Sequence, residues 1–325
     1  MLLIHDTNTD PYWNLAAEEY LLEDFSESVF RLWRNADSII VGRNQNAYAE
    51  IDTEWVSTNG IPVVRRLSGG GAVFHDLGNV NFSFFESGIS RQESNEMFRR
   101  FTKPIVDALH SLGVEAYLEG RNDLMIDGKK FSGNAMCFSK ERVMQHGTLL
   151  FSSSMNSLAQ ALKERPEKFD GKAVKSHRSR VTNITEHLAG KMDVSAFMDY
   201  LADYVGRGCT PYRWSEEDIR SIDALAKSRY RRDEWNFGAS PKYALNKVVK
   251  FPGGVVEVSF DVSSGKISAL EIRGDFFFNK PVEEFCNLMY GVEHTPEKIS
   301  GRLNEVAAGD YFCGISPEEL TILFF

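Results

Sequence analysis

The chain has 325 residues, of which 42% are apolar and 12% aromatic, enough for a sizeable core in one large domain and a smaller one. Its net charge of −9 argues against general affinity for nucleic acid or anionic membranes. Four cysteines without CxxC or zinc-ligand spacing, an N-terminus lacking secretory features and no apolar run near the ~18 residues of a bilayer span predict a soluble, reduced, cytoplasmic protein with neither membrane nor nucleic-acid partners.

Asp10-Pro11 reads as an N-cap followed by proline at the first helical position. Trp13, Ala17, Tyr20 and Leu21 at helical spacing predict a helix to about Phe25. VFRLW and SIIVG read as a strand pair joined by a polar turn around Asn35 to Asp37. IPVVRR leads as a strand into a glycine loop, and VNFSFF leaves it as another, with Val80, Phe82 and Phe84 on one face. Residues 91 to 112 are predicted helical. VEAYLE, DLMID, KKFSGNAM and VMQHGTLLF supply further strands, and helices dominate from about Met155. Residues 163 to 180 carry seven Lys or Arg against three acids, which predicts a mobile basic loop in an acidic protein. WNFGASPKYAL reads as a connector, after which NKVVKF, GVVEVSFDV and KISALEIR followed by helices form a self-contained α+β unit.

Four segments carry residue types suited to chemistry. Ser68-Gly69-Gly70-Gly71-Ala72, flanked by Arg65, Arg66 and His75, offers main-chain N–H groups beside fixed positive charge. Such a loop admits an anionic or carbonyl group against the backbone; it matches neither a Walker P-loop nor a GxGxxG fingerprint. A polar cluster, Arg121, Asn122 and Asp123, precedes a strand and a turn to Lys129 and Lys130, with the small-residue run Ser132-Gly133-Asn134-Ala135 beyond. This hairpin can place a carboxylate and a lysine beside a tight surface, although a lone lysine is usually solvated. His146-Gly147-Thr148 is, on spacing alone, more consistent with a histidine bonded within a sheet. The basic loop ending in SHRSRVTN reads either as a solvated face or as a segment that folds over a phosphate-bearing ligand.

RRLSGGGAVFHDLGN, GRNDLMIDGKKFSGNA, HGTLL and SHRSRVTN stand in the order and spacing of the lipoate–protein ligase family, and NLAAEEYLL and RLWRNADSIIVGRNQN belong to the same pattern. The chain resembles that family over essentially its whole length. The resemblance implies a mixed α/β (α+β) catalytic domain of the biotin and lipoate ligase type, residues 1–243, and a small C-terminal α+β accessory domain, residues 244–325. It implies a two-step ligase that joins lipoate to ATP with Mg²⁺, giving lipoyl-AMP and pyrophosphate. The lipoyl group then passes to one lysine of an apo acceptor, the H-protein or an E2 lipoyl domain. By the same resemblance, the Ser68–Ala72 loop (Ser68, Gly69, Gly70, Gly71, Ala72) lines the adenylate site with Arg66 close by, and Lys130 contacts carboxyl and phosphate oxygens. Asn122 and Asp123 lie near the nucleotide and its metal, with Asp123 the Mg²⁺ candidate. Trp33, His75 and His146 belong to the acyl pocket; Ser132, Gly133, Ala135 and Thr148 fall in the matching motifs. The segment from Lys172 to Asn183, with Arg178 and Arg180, corresponds to a loop closing over the adenylate, and the connector Trp235–Tyr243 to a hinge.

The resemblance leaves open lipoate against octanoate and the base of the transfer step, and nothing in it demands more than a monomer. The nearest rival is an ATP-independent octanoyl or lipoyl transferase working through a cysteine thioester, for which Cys137 is the residue to check. A biotin ligase is disfavoured because SGGGAVFHD stands where that family has an arginine-rich glycine loop. A non-catalytic acyl-adenylate carrier is disfavoured by Asn122, Asp123 and Lys130 being intact.

Overall fold

A computed structural model of the chain describes residues 1–45, 47–89, 94–162, 181–237, 245–263 and 265–325. Among them, fourteen strands form three sheets. The largest has eight strands in the order β11-β1-β2-β6-β10-β9-β8-β7. These are β1 (Leu2–His5), β2 (Val29–Trp33), β6 (Asn79–Ser87), β7 (Ala116–Glu119), β8 (Asp123–Ile126), β9 (Lys129–Ser139), β10 (Arg142–Leu150) and β11 (Thr210–Pro211). A second sheet places β3 (Ser38–Val41) between β4 (Val63–Arg65) and β5 (Val73–His75). The third, in the C-terminal part, is the meander β12 (Leu245–Phe251), β13 (Gly254–Ser263) and β14 (Lys266–Gly274), covered by helices Val282–Met289 and Pro296–Glu305. No described helix is long and apolar enough to cross a membrane.

The two-residue period of the central strands makes the two faces of the large sheet chemically different. Phe30 and Leu32 of β2, Val80, Phe82 and Phe84 of β6, and Val143 and Leu149 of β10 point to one side. There they form the main core with helices Ser94–Ser111 and Val194–Val205. The alternate residues point to the other side. The register Arg31↔Ser83↔His146↔Ala135 forms one polar row across β2, β6, β10 and β9, and Trp33↔Asn81↔Thr148 begins the next. A sheet with one oily face and one face bearing Arg, Asn, Ser and His is built to pack on the first side and to hold something on the second.

Helix α1 (Pro11–Glu23) covers part of that polar face. Asp10 caps it by accepting from the Tyr12 amide, with Pro11 in the first turn, as the sequence predicts. Its apolar residues Leu15, Ala16, Ala17, Leu21 and Leu22 are buried, and so is Glu18.

The expected hairpin of VFRLW with SIIVG does not form. The two strands fall in different sheets, β3 pairing in parallel with β4 and antiparallel with β5. The physical reason lies in the turn. The Asn35 side chain is fully buried and hydrogen-bonded to Asn14 and His75, so the polar segment turns inward as a structural joint rather than outward as a solvated loop.

Candidate active site

Between the polar face of the large sheet and the small β3–β5 sheet lies a cavity of about 320 Å³, within the range of small-molecule sites. The glycine loop connects β4 to β5 and forms one rim. Arg66 organises it: Nη2 donates to the carbonyls of Gly69 (2.7 Å) and Gly71 (2.8 Å), Nε to Ser68 Oγ (3.0 Å) and Nη1 to the Ile40 carbonyl. Gly70 has φ +90, and its carbonyl oxygen would lie 2.1 Å from a Cβ on Gly42, so the loop's close approach requires glycine at both places. Gly70, Gly71 and Ala72 line the cavity. Gly69 turns to the C-terminal part, where a Cβ would meet the Phe276 carbonyl at 2.6 Å. Ser68 is buried behind the loop.

A hydrogen-bonded series runs behind the glycine rim. His146 Nδ1 is 3.0 Å from both carboxylate oxygens of Glu18, and its Nε2 is 2.6 Å from Ser68 Oγ. Ser83 donates to Glu18 at 2.6 Å and accepts from Trp33 Nε1 at 2.9 Å. Burial alone would raise the Glu18 carboxyl, but the His146 ring and its hydrogen bond, together with that of Ser83, hold it below the usual carboxylate value. Burial lowers the Arg66 guanidinium to about 10.

One end of the cavity is charged. Lys130 Nζ pairs with Asp123 Oδ1 at 2.8 Å and stands over Gly133, whose missing side chain leaves it room. Asn122 donates to the Asn134 carbonyl at 2.7 Å and accepts from Asn134 Nδ2 at 3.0 Å, tying the β8 entry to β9. The other end is closed by Trp33, His75 and Asn81, with the Trp33 and His75 rings edge to face. Burial, helped by the nearby Arg66, pushes the His75 imidazole down to about 3, so it is neutral. The C-terminal part contributes a wall: Pro252, Gly253, Gly254, Asp275 and Phe277 line the same cavity, and Phe277 lies 3.8 Å beneath the Arg121 guanidinium.

Of the residues singled out in the sequence, Trp33, Arg66, Gly70, Gly71, Ala72, His75, Asn122, Lys130, Gly133, Ala135, His146 and Thr148 converge on this cavity. Asp123 joins them through Lys130. Ser132 is buried beside it, accepting from Asn134 Nδ2. Asn183 sits elsewhere: it exchanges two hydrogen bonds with the Ser153 backbone, at 2.9 and 3.0 Å, ahead of the short helix Ile184–His187. Lys172, Arg178 and Arg180, and most of the connector, lie outside the described residues.

Sequence reasoning missed Glu18, Asn81 and the wall from Asp275 and Phe277. Two signals were present. Glu18 lies within the apolar stretch of α1, and Asn79, Asn81 and Ser83 alternate with Val80, Phe82 and Phe84 on a central strand buried on both faces. Cys137 lies two residues beyond Ala135 on the same face of β9, but it packs beside Met144 and the cluster under α1 rather than into the cavity.

Among the described residues no three His, Cys, Asp or Glu side chains cluster as a metal site. Asp123 stands at the polar end beside Lys130 and Asp275 lines the cavity from the C-terminal part, a sparse set of carboxylates that suits an ion carried largely by phosphate oxygens.

Comparison with known proteins agrees with this architecture. Residues 10–206 match the family model described as lipoyl protein ligase A/B catalytic domain, and residues 240–324 that of bacterial lipoate protein ligase C-terminus. The chain is 42% identical to the lipoate-protein ligase LplJ of Bacillus subtilis, over 100% of both chains. Among solved structures, P. falciparum LipL1 in complex with lipoate is 26% identical at a TM-score of 0.77, covering 94% of this chain and 93% of that one. A lipoate-protein ligase A bound with ATP is 28% identical at a TM-score of 0.62, covering 73% and 98%. With the cavity, its charged and aromatic ends and its wall from the C-terminal part in place, the chain belongs to the lipoate–protein ligase family.

Proposed function

We propose that the protein activates lipoate with ATP in the cavity between the two sheets and then lipoylates one lysine of an apo acceptor domain. The observation that carries this is the polarity of the cavity. A lysine amine and a carboxylate stand at one end and an aromatic wall at the other, separated across β9, β10 and β6. An acyl chain with an anionic head fits that polarity. In the first step a carboxylate oxygen attacks the α-phosphorus, the bond to the β-phosphate oxygen breaks and pyrophosphate leaves. Negative charge grows on phosphate oxygens, and Lys130 supplies a fixed cation there. Gly70 and Gly71 let the adenylate lie against the backbone. Mg²⁺ would enter with the nucleotide's phosphates, with Asp123 as its protein ligand, and supplies charge neutralisation when bound.

In the second step the acceptor amine attacks the carbonyl of the mixed anhydride and expels AMP. Either the H-protein or an E2 lipoyl domain serves as acceptor, and octanoate is an alternative acyl substrate. Residues 1–243 form the catalytic domain and residues 244–325 the accessory domain of a monomer. A cysteine transferase is disfavoured by the position of Cys137 outside the cavity lining. The test is intact-mass analysis of a panel of apo acceptors incubated with protein, lipoate, Mg²⁺ and ATP, with ATP-free and octanoate controls. A lipoyl-sized gain that requires ATP is expected. Transfer without ATP from an acylated donor would overturn the ligase reading.

A further inference from the structure

His75 closes the aromatic end of the cavity, and its imidazole is 3% exposed. The direction of its hydrogen bonds can be read from an arginine, whose guanidinium has donors and no acceptor. Arg31 Nη2 can only donate, and it donates to Asn14 Oδ1. Asn14 therefore presents Nδ2 to Asn35, whose Oδ1 accepts at 3.0 Å. Asn35 in turn presents Nδ2, which lies 3.0 Å from His75 Nδ1. His75 Nδ1 is thus the acceptor, and the neutral ring carries its proton on Nε2. No described group pairs with Nε2, although the atom is buried. Asn81, 2% exposed and lining the same end, likewise leaves Nδ2 without a described partner; its Oδ1 accepts from Asn79. Both are polar groups in a place where a plain hydrocarbon tail would leave them unsatisfied.

The distance to the reacting end follows from the strands. Asn81 pairs with Thr148 on β10, and Gly133 on β9 donates its amide to Thr148 Oγ1 at 3.3 Å. Lys130 Nζ stands over Gly133. Asn81 on β6, which lines the same end as His75, and the lysine at β9 are thus about two strand spacings apart, roughly 10 Å. That separation suits the carboxyl and the far end of a medium-chain acyl group.

We propose that His75 is a specificity-determining residue: its Nε2–H donates to a heteroatom at the far end of the acyl chain, and so selects a sulfur-bearing ring over hydrocarbon of the same shape. The inference rests on the reading of this cavity as the acyl site. Sulfur is a weak acceptor, so the discrimination is well below that of a site reading a hydroxyl. It is expected to be on the order of tenfold in kcat/KM, the ratio that about 1.4 kcal/mol supports.

The test compares lipoate with 5-cyclopentylpentanoate, in which a carbocycle replaces the dithiolane, by adenylate formation and by calorimetric binding to the intact protein. Wild type is expected to favour lipoate by about tenfold or more, and His75→Phe to bring the two acids close to parity. His75→Gln keeps an acceptor for Asn35 and an N–H donor, and should restore most of the preference. Parity in wild type would show that ring shape alone is read and would overturn the proposal. So would an unchanged preference in a folded His75→Phe protein, because the discrimination would then lie elsewhere. Should His75→Phe fail to fold, the wild-type comparison and His75→Gln decide. If the folded wild-type protein activates lipoate not at all, the acyl-site reading itself fails. Activation of lipoate without discrimination sinks only the role of His75.

Discussion

Replacing Lys130 by alanine separates what a charge contributes to the fold from what it contributes to the reaction. Lys130 lies just past the β8–β9 turn, where Asp127 and Gly128 both have positive φ, and its backbone carbonyl accepts from the Thr182 amide at 3.0 Å. Those main-chain features survive the substitution. What is lost is an ion pair with Asp123 in which both side chains are 38% exposed. Solvent screening at that exposure limits the pair to roughly 0.2–1 kcal/mol of stability. A preorganised cation facing charge that develops in the transition state is instead worth about 10²–10³ in rate. Urea unfolding should therefore show a destabilisation of ~1 kcal/mol or less for Lys130→Ala. Pyrophosphate release with lipoate and ATP should fall by about two to three orders of magnitude. Adenylation within about threefold of wild type would refute the electrostatic role. A loss of more than about 2 kcal/mol in stability would refute the claim that the pair is structurally minor.

Other substitutions probe the loop, the buried histidine and the cysteine. Gly69→Ala sets a methyl 2.6 Å from the Phe276 carbonyl and should cost about 1–3 kcal/mol in thermal unfolding, whereas Gly71→Ala meets nothing within 4 Å and should be tolerated. His75, at about 3 in the folded protein against 6.5 when unfolded, makes the unfolded chain the greater proton binder between those values. Stability therefore falls as pH drops below 6.5. From pH 7 to 5 the wild type should lose about 2 kcal/mol more than His75→Gln in urea titrations, and parallel profiles would contradict the buried neutral ring. Cys137→Ser should retain ATP-dependent lipoylation within about twofold, since the thiol packs under α1 and not in the cavity. Loss of lipoylation in a stably folded variant would revive the thioester mechanism.

The sequence made legible whatever depends on short-range periodicity. The two faces of β6, the capped start of α1, the β8–β9 hairpin and the three-stranded meander after the connector all follow from alternation, caps and turn residues. The pairing of β2 with β6 rather than β3 did not follow, because sheet partners are chosen by contacts far apart in sequence. Asn35 looked like a turn residue because its neighbours are polar; its real partners are Asn14 and His75, 21 and 40 positions away. In the site, Lys130, His75 and the glycine loop could be singled out by residue type and setting. Glu18 could not. A glutamate on a helix is ordinarily solvated, and only the placement of α1 over His146 and Ser83 makes this one a buried hydrogen-bond acceptor. Asn81 stayed hidden for a related reason: the alternation identified its face, but not that this face encloses a cavity.

The wall formed by Asp275, Phe277 and the Pro252–Gly254 turn has a chemical consequence beyond shape. An acyl phosphate anhydride in open water is destroyed by hydrolysis, and every molecule so lost discards one ATP. With its far wall borrowed from the C-terminal part, the cavity, as the proposed adenylate site, would shelter such an intermediate only while the two parts stay in contact. The Phe277 ring against Arg121, the Gly274 amide on the Asn44 carbonyl at 2.7 Å and Arg43 with Glu283 at 3.1 Å hold that contact. Weakening these joints leaves every reacting group in place yet lets water in, so the ratio of ATP consumed to acceptor modified would rise. On the proposed reading, the seam between the two parts would set the fidelity with which ATP cleavage is coupled to product.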